Sequence, residues 1–325
     1  MSIIANTAFS FADNRRWNSS VGWFKRTIGE RVQKVTINAG FTCPNRDGLL
    51  GTRGCTYCLN EAFTPSYCQP QKSITQQIEE GIEFHAVRYR RAEKFIAYFQ
   101  SFSNTYAPLE KLKQIYAQAL QHPKIIGISV GTRPDCIDEE KLDYFFDLMK
   151  QGKFVQIEYG VESCYDSSLE RIRRGHTFAQ AQKAIEQTAA KGIKTGAHFI
   201  FGLPNETRQQ MIDSAVIISK LPLDSVKFHQ LQIIKGTDME AEFATQPNDF
   251  TTFTLHEYID FFIDFLERLS PNIVIERFIG EVPPRFVNHT PWGLLRNVEI
   301  LRMLDQRLEE RSTWQGKVLK PSCRA

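Results

Sequence analysis

The sequence lacks the long apolar runs, the leader segment and the low-complexity stretches that mark membrane-spanning, exported or disordered chains. Its most apolar segment, residues 258–266, is interrupted by Asp260 and Asp264, far short of the roughly 18 uncharged residues that a membrane span needs. The first residues show neither a basic n-region nor an extended apolar h-region, so we expect no secretory signal. With 42% apolar and 24% charged residues, the composition is typical of a soluble globular protein.

Cysteines are few and poorly suited to disulfide bonds. The chain has 7 of them, an odd number, and most are scattered. Disulfide frameworks belong to oxidising compartments, where cysteines occur in even, closely spaced sets. We therefore expect free thiols and a cytoplasmic location.

Strong net charge is also lacking, since the chain carries only +3. The charge is nevertheless uneven along the sequence. Residues 1–34 have six basic and two acidic side chains, residues 281–325 have eight and five, and the middle is acidic. Two basic ends fit contact with a nucleic-acid backbone, but an ordinary solvated surface explains them equally well.

Three cysteines on one loop form the most informative motif. Cys43, Cys55 and Cys58 are separated by eleven and two residues, and three glycines lie between the first and the last. Three thiolates on a four-iron cluster leave one iron with an open position, whereas a structural zinc site needs four ligands. Arg46 and Arg53 in the same loop would offset the negative charge of a thiolate-bound cluster. The loop is therefore predicted to hold a cofactor.

A zinc knuckle is the alternative interpretation of this loop. Cys68 follows Cys58 by ten positions and would serve as the fourth ligand of a closed zinc site. The protein would then be a non-catalytic, zinc-stabilised RNA-binding protein.

Short apolar strands alternate with helical segments along most of the chain. Predicted strands span residues 32–39, 95–99, 125–130, 154–159, 194–201 and 225–232. Strict alternation of this kind indicates parallel strands joined by right-handed crossovers. The predicted fold is α/β, a partial parallel (β/α)6 TIM-like barrel with a C-terminal α+β extension. We divide the chain into a basic lead-in (1–34), a core (35–232) and an extension (233–325) that packs on the barrel.

Polar clusters follow several of the predicted strands. In parallel barrels the loops that leave the carboxyl ends of the strands build the active site. These clusters therefore converge with the cysteine loop on one face, although each alone is compatible with ordinary turn chemistry. The clusters are 100–105, 131–135, 160–163 and 202–206.

The motifs resemble those of the radical S-adenosylmethionine (SAM) superfamily, and in particular its YhcC/YtqA group, relatives of the Elongator catalytic subunit's radical domain. The resemblance covers nearly the whole chain, with one departure. The commonest superfamily spacing has three residues between the first two cysteines, and here there are eleven. The segments that carry it are 36–48, 54–58, 98–100, 131–135, 174–176, 202–204 and 235–237.

The resemblance implies a [4Fe-4S] cluster on Cys43, Cys55 and Cys58, with the amino and carboxylate groups of SAM on the open iron. Reductive cleavage of SAM would then yield a 5′-deoxyadenosyl radical that abstracts a hydrogen atom from the substrate. Tyr57, between the last two cysteines, would lie near the adenine.

Further SAM contacts follow from the resemblance alone. The superfamily's glycine-glycine-glutamate segment is replaced here, which makes Ser101, Ser103 and Asn104 candidates for the methionyl amino group. Glu162 and Arg174 fall where coproporphyrinogen oxidase-like members carry a glutamine and an arginine.

Two histidines are candidates for a catalytic role. His198 occupies a position where the coproporphyrinogen oxidase-like relatives have an aspartate. His176 follows Arg174 closely, and it could equally cap the next helix.

The substrate suggested by the resemblance is tRNA, because YtqA-line relatives resemble MnmL, which is implicated in converting a carboxymethylaminomethyl group on wobble uridine towards aminomethyl. A basic face on the last predicted helix, with Arg307 and Arg311, would contact phosphates, unless those arginines pair with neighbouring glutamates. Partners implied are a flavodoxin- or ferredoxin-type electron donor and a methyltransferase acting on the product. A radical SAM enzyme acting on a small metabolite is the remaining alternative.

Overall fold

The computed structural model describes residues 11, 13–86, 92–288, 292–293 and 295–319. Within these residues the strands are β1 (Val32–Ile37), β2 (Lys94–Phe99), β3 (Ile125–Thr132), β4 (Phe154–Glu162), β5 (Lys194–Phe201), β6 (Ser225–Gln230) and β7 (Val274–Arg277). The helices are α1 (Ser20–Ile28), α2 (Ile74–Ala86), α3 (Leu109–Leu120), α4 (Glu139–Lys150), α5 (Asp166–Arg171), α6 (Phe178–Ala190), α7 (Arg208–Ser219), α8 (Asp238–Thr245), α9 (Leu255–Leu266) and α10 (Asn297–Glu310).

All seven strands form one parallel sheet in the order of the sequence. Each strand therefore pairs with its predecessor through a helical crossover, as the alternating pattern predicts. The sheet curls into a half-barrel, because Lys34 on β1 reaches Glu276 on β7 with a nitrogen–oxygen distance of 2.6 Å. The predicted fold class is confirmed, and the sheet extends one strand beyond the six predicted.

The seventh strand comes from the segment assigned to the extension. Residues 273–275 were predicted to form a short separate strand, but β7 joins β6 in parallel. The sheet thus crosses the proposed boundary between residues 232 and 233, and the domain limits stay a prediction. The last helix, predicted from residue 292, begins at Asn297.

Two helices were missed by the sequence analysis. The six-residue α5 follows β4 closely, and it is too short to show a helical period. The segment of α8 was assigned to a linker, although Thr237 caps that helix by accepting a hydrogen bond from the Glu240 backbone nitrogen. Apolar periodicity is weak in both helices, so local capping was the available signal.

The two faces of the sheet have opposite polarity. The outer face is apolar and packs against the helices; for example, Phe201 and Phe228 contact Phe265 of α9 with ring centroids 5.0 and 4.9 Å apart. The inner face carries polar and charged side chains at alternate strand positions, among them Glu158 and Lys227. None of the helices in the described part of the chain has the length and hydropathy of a membrane span.

Candidate active site

The cysteine loop is a compact turn system rather than an open excursion. The backbone nitrogens of Arg46 and Asp47 donate to the Cys43 carbonyl at 2.8 and 3.2 Å, and the Cys58 nitrogen donates to the Cys55 carbonyl at 3.1 Å. Gly54 has a φ of +75°, and a Cβ there would lie 2.9 Å from Nε of Arg46. Glycine therefore lets the Arg46 guanidinium pack beneath the loop, where it donates to the Cys58 carbonyl at 2.6 Å.

The two helices that sequence analysis missed hold this loop in place. The Thr56 backbone nitrogen donates to the Ile172 carbonyl at the end of α5, at 3.1 Å. The Met239 nitrogen, in the first turn of α8, donates to the Thr56 carbonyl at 3.0 Å. Asp238 pairs with Arg53 at 2.9 Å. The middle of the motif is thus clamped from both sides.

Cys43, Cys55 and Cys58 line a single cavity of about 210 Å³ inside the half-barrel. We call it the barrel cavity. Side chains from all five strands β2 and β4–β7, or from the loops that follow them, contribute to its wall, as the barrel prediction requires. Besides the cysteines, the wall residues used below are Arg46, Tyr57, Tyr98, Ser103, Arg133, Glu158, Gly160, Glu162, Arg174, His198, His229, Gln230, Arg277 and Gly280.

The surroundings of the thiols fit an iron–sulfur cluster. Nitrogen donors lie near two of the sulfurs: Asn45 Nδ2 is 3.4 Å and Arg174 Nη1 3.6 Å from Cys55 Sγ, and Asn60 Nδ2 is 3.7 Å from Cys58 Sγ. Such N–H···S contacts stabilise and tune thiolate-bound clusters. The described residues contain no group of three side chains close enough to hold a single metal ion. A four-iron cluster is much larger than one ion, so its ligands lie farther apart.

Burial affects the protonation of the free thiols. Burial, together with the neighbouring Cys55, raises the pKa of Cys58 to about 11, although Arg46 opposes the rise. Metal ligands must be deprotonated, so cluster binding is expected to release a proton from this site.

The zinc-knuckle interpretation is not supported by the position of Cys68. Its Sγ donates to the Thr36 carbonyl at 2.9 Å, and the side chain packs in the apolar core beside Tyr67. Cys68 is not part of the barrel-cavity wall. The proposed fourth ligand is therefore a structural core residue.

Four of the six predicted SAM contacts lie on the cavity wall: Tyr57, Ser103, Glu162 and Arg174. The Ser103 hydroxyl is buried and has no hydrogen-bond partner among the described residues. Such an orphaned group in a cavity wall is suited to a ligand. Glu162 has a φ of +75°, a conformation that costs about 1 kcal/mol or more in a non-glycine residue.

Arg174 is fixed at the junction between the cysteines and Glu162. It donates to the Gly160 carbonyl from Nη2 at 2.5 Å and approaches Glu162 at 3.5 Å. A Cβ at position 160 would lie 2.5 Å from the same nitrogen, so the approach requires glycine. Burial alone would lower the pKa of Arg174, but Tyr57, Cys55 and Glu162 raise it well above its usual value. The guanidinium is therefore permanently charged.

The remaining two predicted SAM contacts lie behind the wall. Ser101 is buried with its hydroxyl 3.3 Å from that of Thr64. Asn104 donates to the Phe99 and Gly131 carbonyls at 3.2 and 2.8 Å. Both support the loop that carries Ser103 rather than facing the cavity.

The two histidine candidates are placed differently. His198 lies on the cavity wall, with Nε2 2.8 Å from Oε2 of Glu158. His176 does not: its ring nitrogens lie 3.2 Å from the Thr177 carbonyl and 3.3 Å from the Gly160 carbonyl. Burial, with Arg174, lowers the pKa of His176 to about 3. His176 thus supports the Gly160–Arg174 contact from behind as a neutral imidazole.

A buried network of charges forms the floor of the cavity, and sequence analysis missed it. Glu158 accepts from Lys34 and Lys227, each at 2.5 Å, and Ser129 at 2.9 Å. Glu276 pairs with the same two lysines at 2.6 and 3.6 Å. We call Lys34, Glu158, Lys227 and Glu276 the floor network. Their alternate positions on inward-facing strands were the signal that could have revealed them.

The floor network is balanced in charge. Burial opposes ionisation of Glu158, but Lys227 and Lys34 hold its pKa well below the usual value. The same lysines lower the pKa of Glu276 to about 2 against the effect of burial. Two lysines therefore neutralise two carboxylates.

The family assignment rests on matches along most of the chain. The model of the Radical SAM superfamily matches residues 45–216, and that of the Radical_SAM C-terminal domain matches residues 223–310. The chain belongs to the radical SAM superfamily. It is accordingly an enzyme, and the superfamily implies a [4Fe-4S] cluster and SAM. The predicted resemblance is confirmed, including the YtqA group.

Three similar proteins illustrate the range of relatives. The uncharacterized protein YtqA of Bacillus subtilis is 29% identical over 97% of both chains. The tRNA uridine(34) acetyltransferase of Methanocaldococcus jannaschii is 28% identical, over 40% of this chain and 24% of its own length. The solved structure of archaeal Elp3 from Methanocaldococcus infernus superposes with a TM-score of 0.65 and 16% identity, covering 87% of this chain and 64% of that one. The last likeness shows the shared fold.

Proposed function

We propose that this radical SAM enzyme binds its [4Fe-4S] cluster through Cys43, Cys55 and Cys58. The observation that supports this most strongly is that all three thiols line one cavity while two of them lie near N–H donors. When bound, the cluster and SAM supply a reductive cleavage of SAM that ends in abstraction of a hydrogen atom from the substrate. The chain itself provides binding, orientation and exclusion of water.

SAM is proposed to bind against Tyr57, Ser103, Glu162 and Arg174. The orphaned Ser103 hydroxyl offers a hydrogen bond to the amino acid portion. The Arg174 guanidinium, held by the Gly160 carbonyl, presents a fixed positive charge for a carboxylate. Tyr57 supplies an aromatic face between two of the cluster ligands, suited to an adenine.

The proposed substrate is tRNA, modified on the side chain of a wobble uridine. Support comes from the name of the uridine(34) acetyltransferase relative and from the basic ends of the sequence. A flavodoxin- or ferredoxin-type donor in the cytoplasm would supply the electron, and a methyltransferase is a further proposed partner.

The last helix does not support the proposed phosphate contact. Arg307 pairs with Asp260 of α9 at 2.8 Å, and Arg311 pairs with Asp264 at 2.7 Å. Both arginines therefore join α10 to α9. The alternative stated for these residues, pairing with neighbouring acids, describes them better.

Two experiments test the proposal. Anaerobically reconstituted protein should contain about four irons per chain and release 5′-deoxyadenosine from SAM on reduction. One bound zinc and no SAM cleavage would end it. Mass spectrometry of tRNA nucleosides from a deletion strain should show an altered wobble uridine, whereas an unchanged profile would favour a small-metabolite substrate.

A further inference from the structure

Arg277 stands apart from the other arginines of the barrel cavity. Arg46, Arg133 and Arg174 each donate hydrogen bonds to a backbone carbonyl of a neighbouring segment. Arg277, at the end of β7, makes no hydrogen bond and no ion pair with any residue that the structure describes. Its partly buried guanidinium therefore faces the cavity without a partner.

A β-bulge turns Arg277 inward. Val226 pairs with Ile275 and Lys227 pairs with Arg277, so Glu276 is an extra residue opposite the bond between Val226 and Lys227. A regular strand would point successive side chains to opposite faces. The bulge instead lets Glu276 join the floor network while Arg277 also lines the cavity. Bulges re-aim side chains in this way and are common beside active sites.

The segment after Arg277 is held rigidly. The side chain of Gln230 donates to the Gly280 carbonyl at 3.0 Å and accepts from the Gly280 nitrogen at 2.8 Å. A Cβ at position 280 would lie 3.0 Å from Nδ1 of His229. The chain beyond β7 is thus anchored to β6, which fixes the base from which Arg277 extends.

The neighbouring acids are already neutralised. Glu158 and Glu276 are each shared between Lys34 and Lys227, and Glu162 pairs with Arg174. No carboxylate of the described cavity wall remains for Arg277. The site thus carries an uncompensated positive charge on the β7 side.

A guanidinium removed from water without a counter-charge is unfavourable, which a bound anion would relieve. Guanidinium groups match carboxylates and phosphates through two parallel hydrogen bonds. We propose that Arg277 binds an oxyanionic group of the substrate, a carboxylate or a phosphate, inside the barrel cavity. This inference rests on the proposed function, because it assigns a contact to the substrate of that site.

The experiment compares the reconstituted protein with its Arg277→Gln and Arg302→Gln variants. Arg302 is the matched control, since it is exposed on α10 and likewise has no partner in the described part of the chain. Dissociation constants are measured for tRNA bearing carboxymethylaminomethyluridine and for the same tRNA bearing aminomethyluridine. SAM cleavage without substrate is measured in parallel, to show that the cofactor site is intact.

The wild-type and Arg302→Gln proteins should bind the carboxylate-bearing tRNA at least about tenfold more tightly than the aminomethyl form. Arg277→Gln should lose that preference while cleaving SAM at the wild-type rate. Equal loss of affinity for both tRNAs in Arg277→Gln would identify a phosphate as the bound group. An Arg277→Gln protein that binds both tRNAs as the wild type does would overturn the inference and leave the proposed function standing.

A wild-type protein that binds neither tRNA would refute the tRNA substrate, and a second arm then decides the role of Arg277. Acetate and inorganic phosphate are titrated into each protein while the thermal midpoint is followed. An anion-dependent rise in the wild type and in Arg302→Gln, absent in Arg277→Gln, supports an oxyanion site. The same rise in all three proteins overturns it.

Discussion

The rim and the floor of the barrel cavity are built in opposite ways. The rim depends on residues close in sequence: Cys43, Cys55 and Cys58 lie within one loop that is closed by its own backbone hydrogen bonds. The floor network joins side chains from four strands, and Lys34 and Glu276 are 242 positions apart. The rim is therefore a local motif with replaceable ligands, whereas the floor depends on the whole folded sheet. Substitutions at the rim should affect the cofactor, and those at the floor should affect stability.

The largest expected effect is at the rim. Replacing Cys43, Cys55 and Cys58 together by alanine should reduce the iron content from about four per chain to near zero. The fold should remain, because these thiols lie outside the sheet. Iron analysis and far-UV circular dichroism test both parts. Cys68→Ser is the control and should keep its cluster; loss of iron in that variant would restore Cys68 as a ligand.

At the floor, Lys227→Met should lower the free energy of unfolding by roughly 3–5 kcal/mol, because Glu158 would be left buried without its closest compensating charge. Lys113→Met removes an exposed pair with Glu110 and should cost less than about 1 kcal/mol. Chemical denaturation of the two variants measures the difference. Similar losses in both would mean that the floor network contributes no more than a surface pair.

A pH effect is expected behind the rim. The folded protein holds His176 neutral, with a pKa of about 3, whereas an unfolded chain's imidazole titrates near 6.5. Below about pH 6.5 the unfolded state therefore binds more protons, and stability falls with decreasing pH by about 1.4 kcal/mol per unit until the pH approaches 3. His176→Gln should remove this slope between pH 6 and pH 4.

The exposed His256→Gln variant serves as the control for that measurement. Denaturation midpoints across the same pH range should follow the parent protein. An unchanged slope in His176→Gln would show that the imidazole is not held neutral in the folded state.

The smallest expected effect concerns Glu162. Glu162→Gln keeps an oxygen acceptor but removes the charge beside Arg174, so the dissociation constant for SAM should change by less than about tenfold. Glu162→Ala removes the acceptor as well and should weaken binding more than Glu162→Gln does. Equilibrium binding of SAM to the reconstituted variants ranks them. If the two variants bind equally, the oxygen of residue 162 makes no contact with SAM.

The rim could be predicted from the sequence because its chemistry is written in one stretch of cysteines, glycines and arginines. The barrel followed from alternating strands and helices, and β5 was predicted with its observed limits. The floor network escaped because its partners meet only after the sheet curls. Arg277 escaped for a related reason: strand alternation predicts that it faces away from Glu276, and only a bulge reverses that.

Helices α5 and α8 show the same limit on a smaller scale. Neither has a strong apolar period, yet Ile172 and Met239 clamp the motif at Thr56. The sequence pattern identified the ligands but not the elements that hold them.

The most direct test of the central claim is Mössbauer spectroscopy of protein reconstituted with iron-57, recorded without and with SAM. An open iron held by three thiols predicts that SAM alters the signal of one iron in the cluster and leaves the others unchanged. A cluster whose irons are all indifferent to SAM would contradict the account.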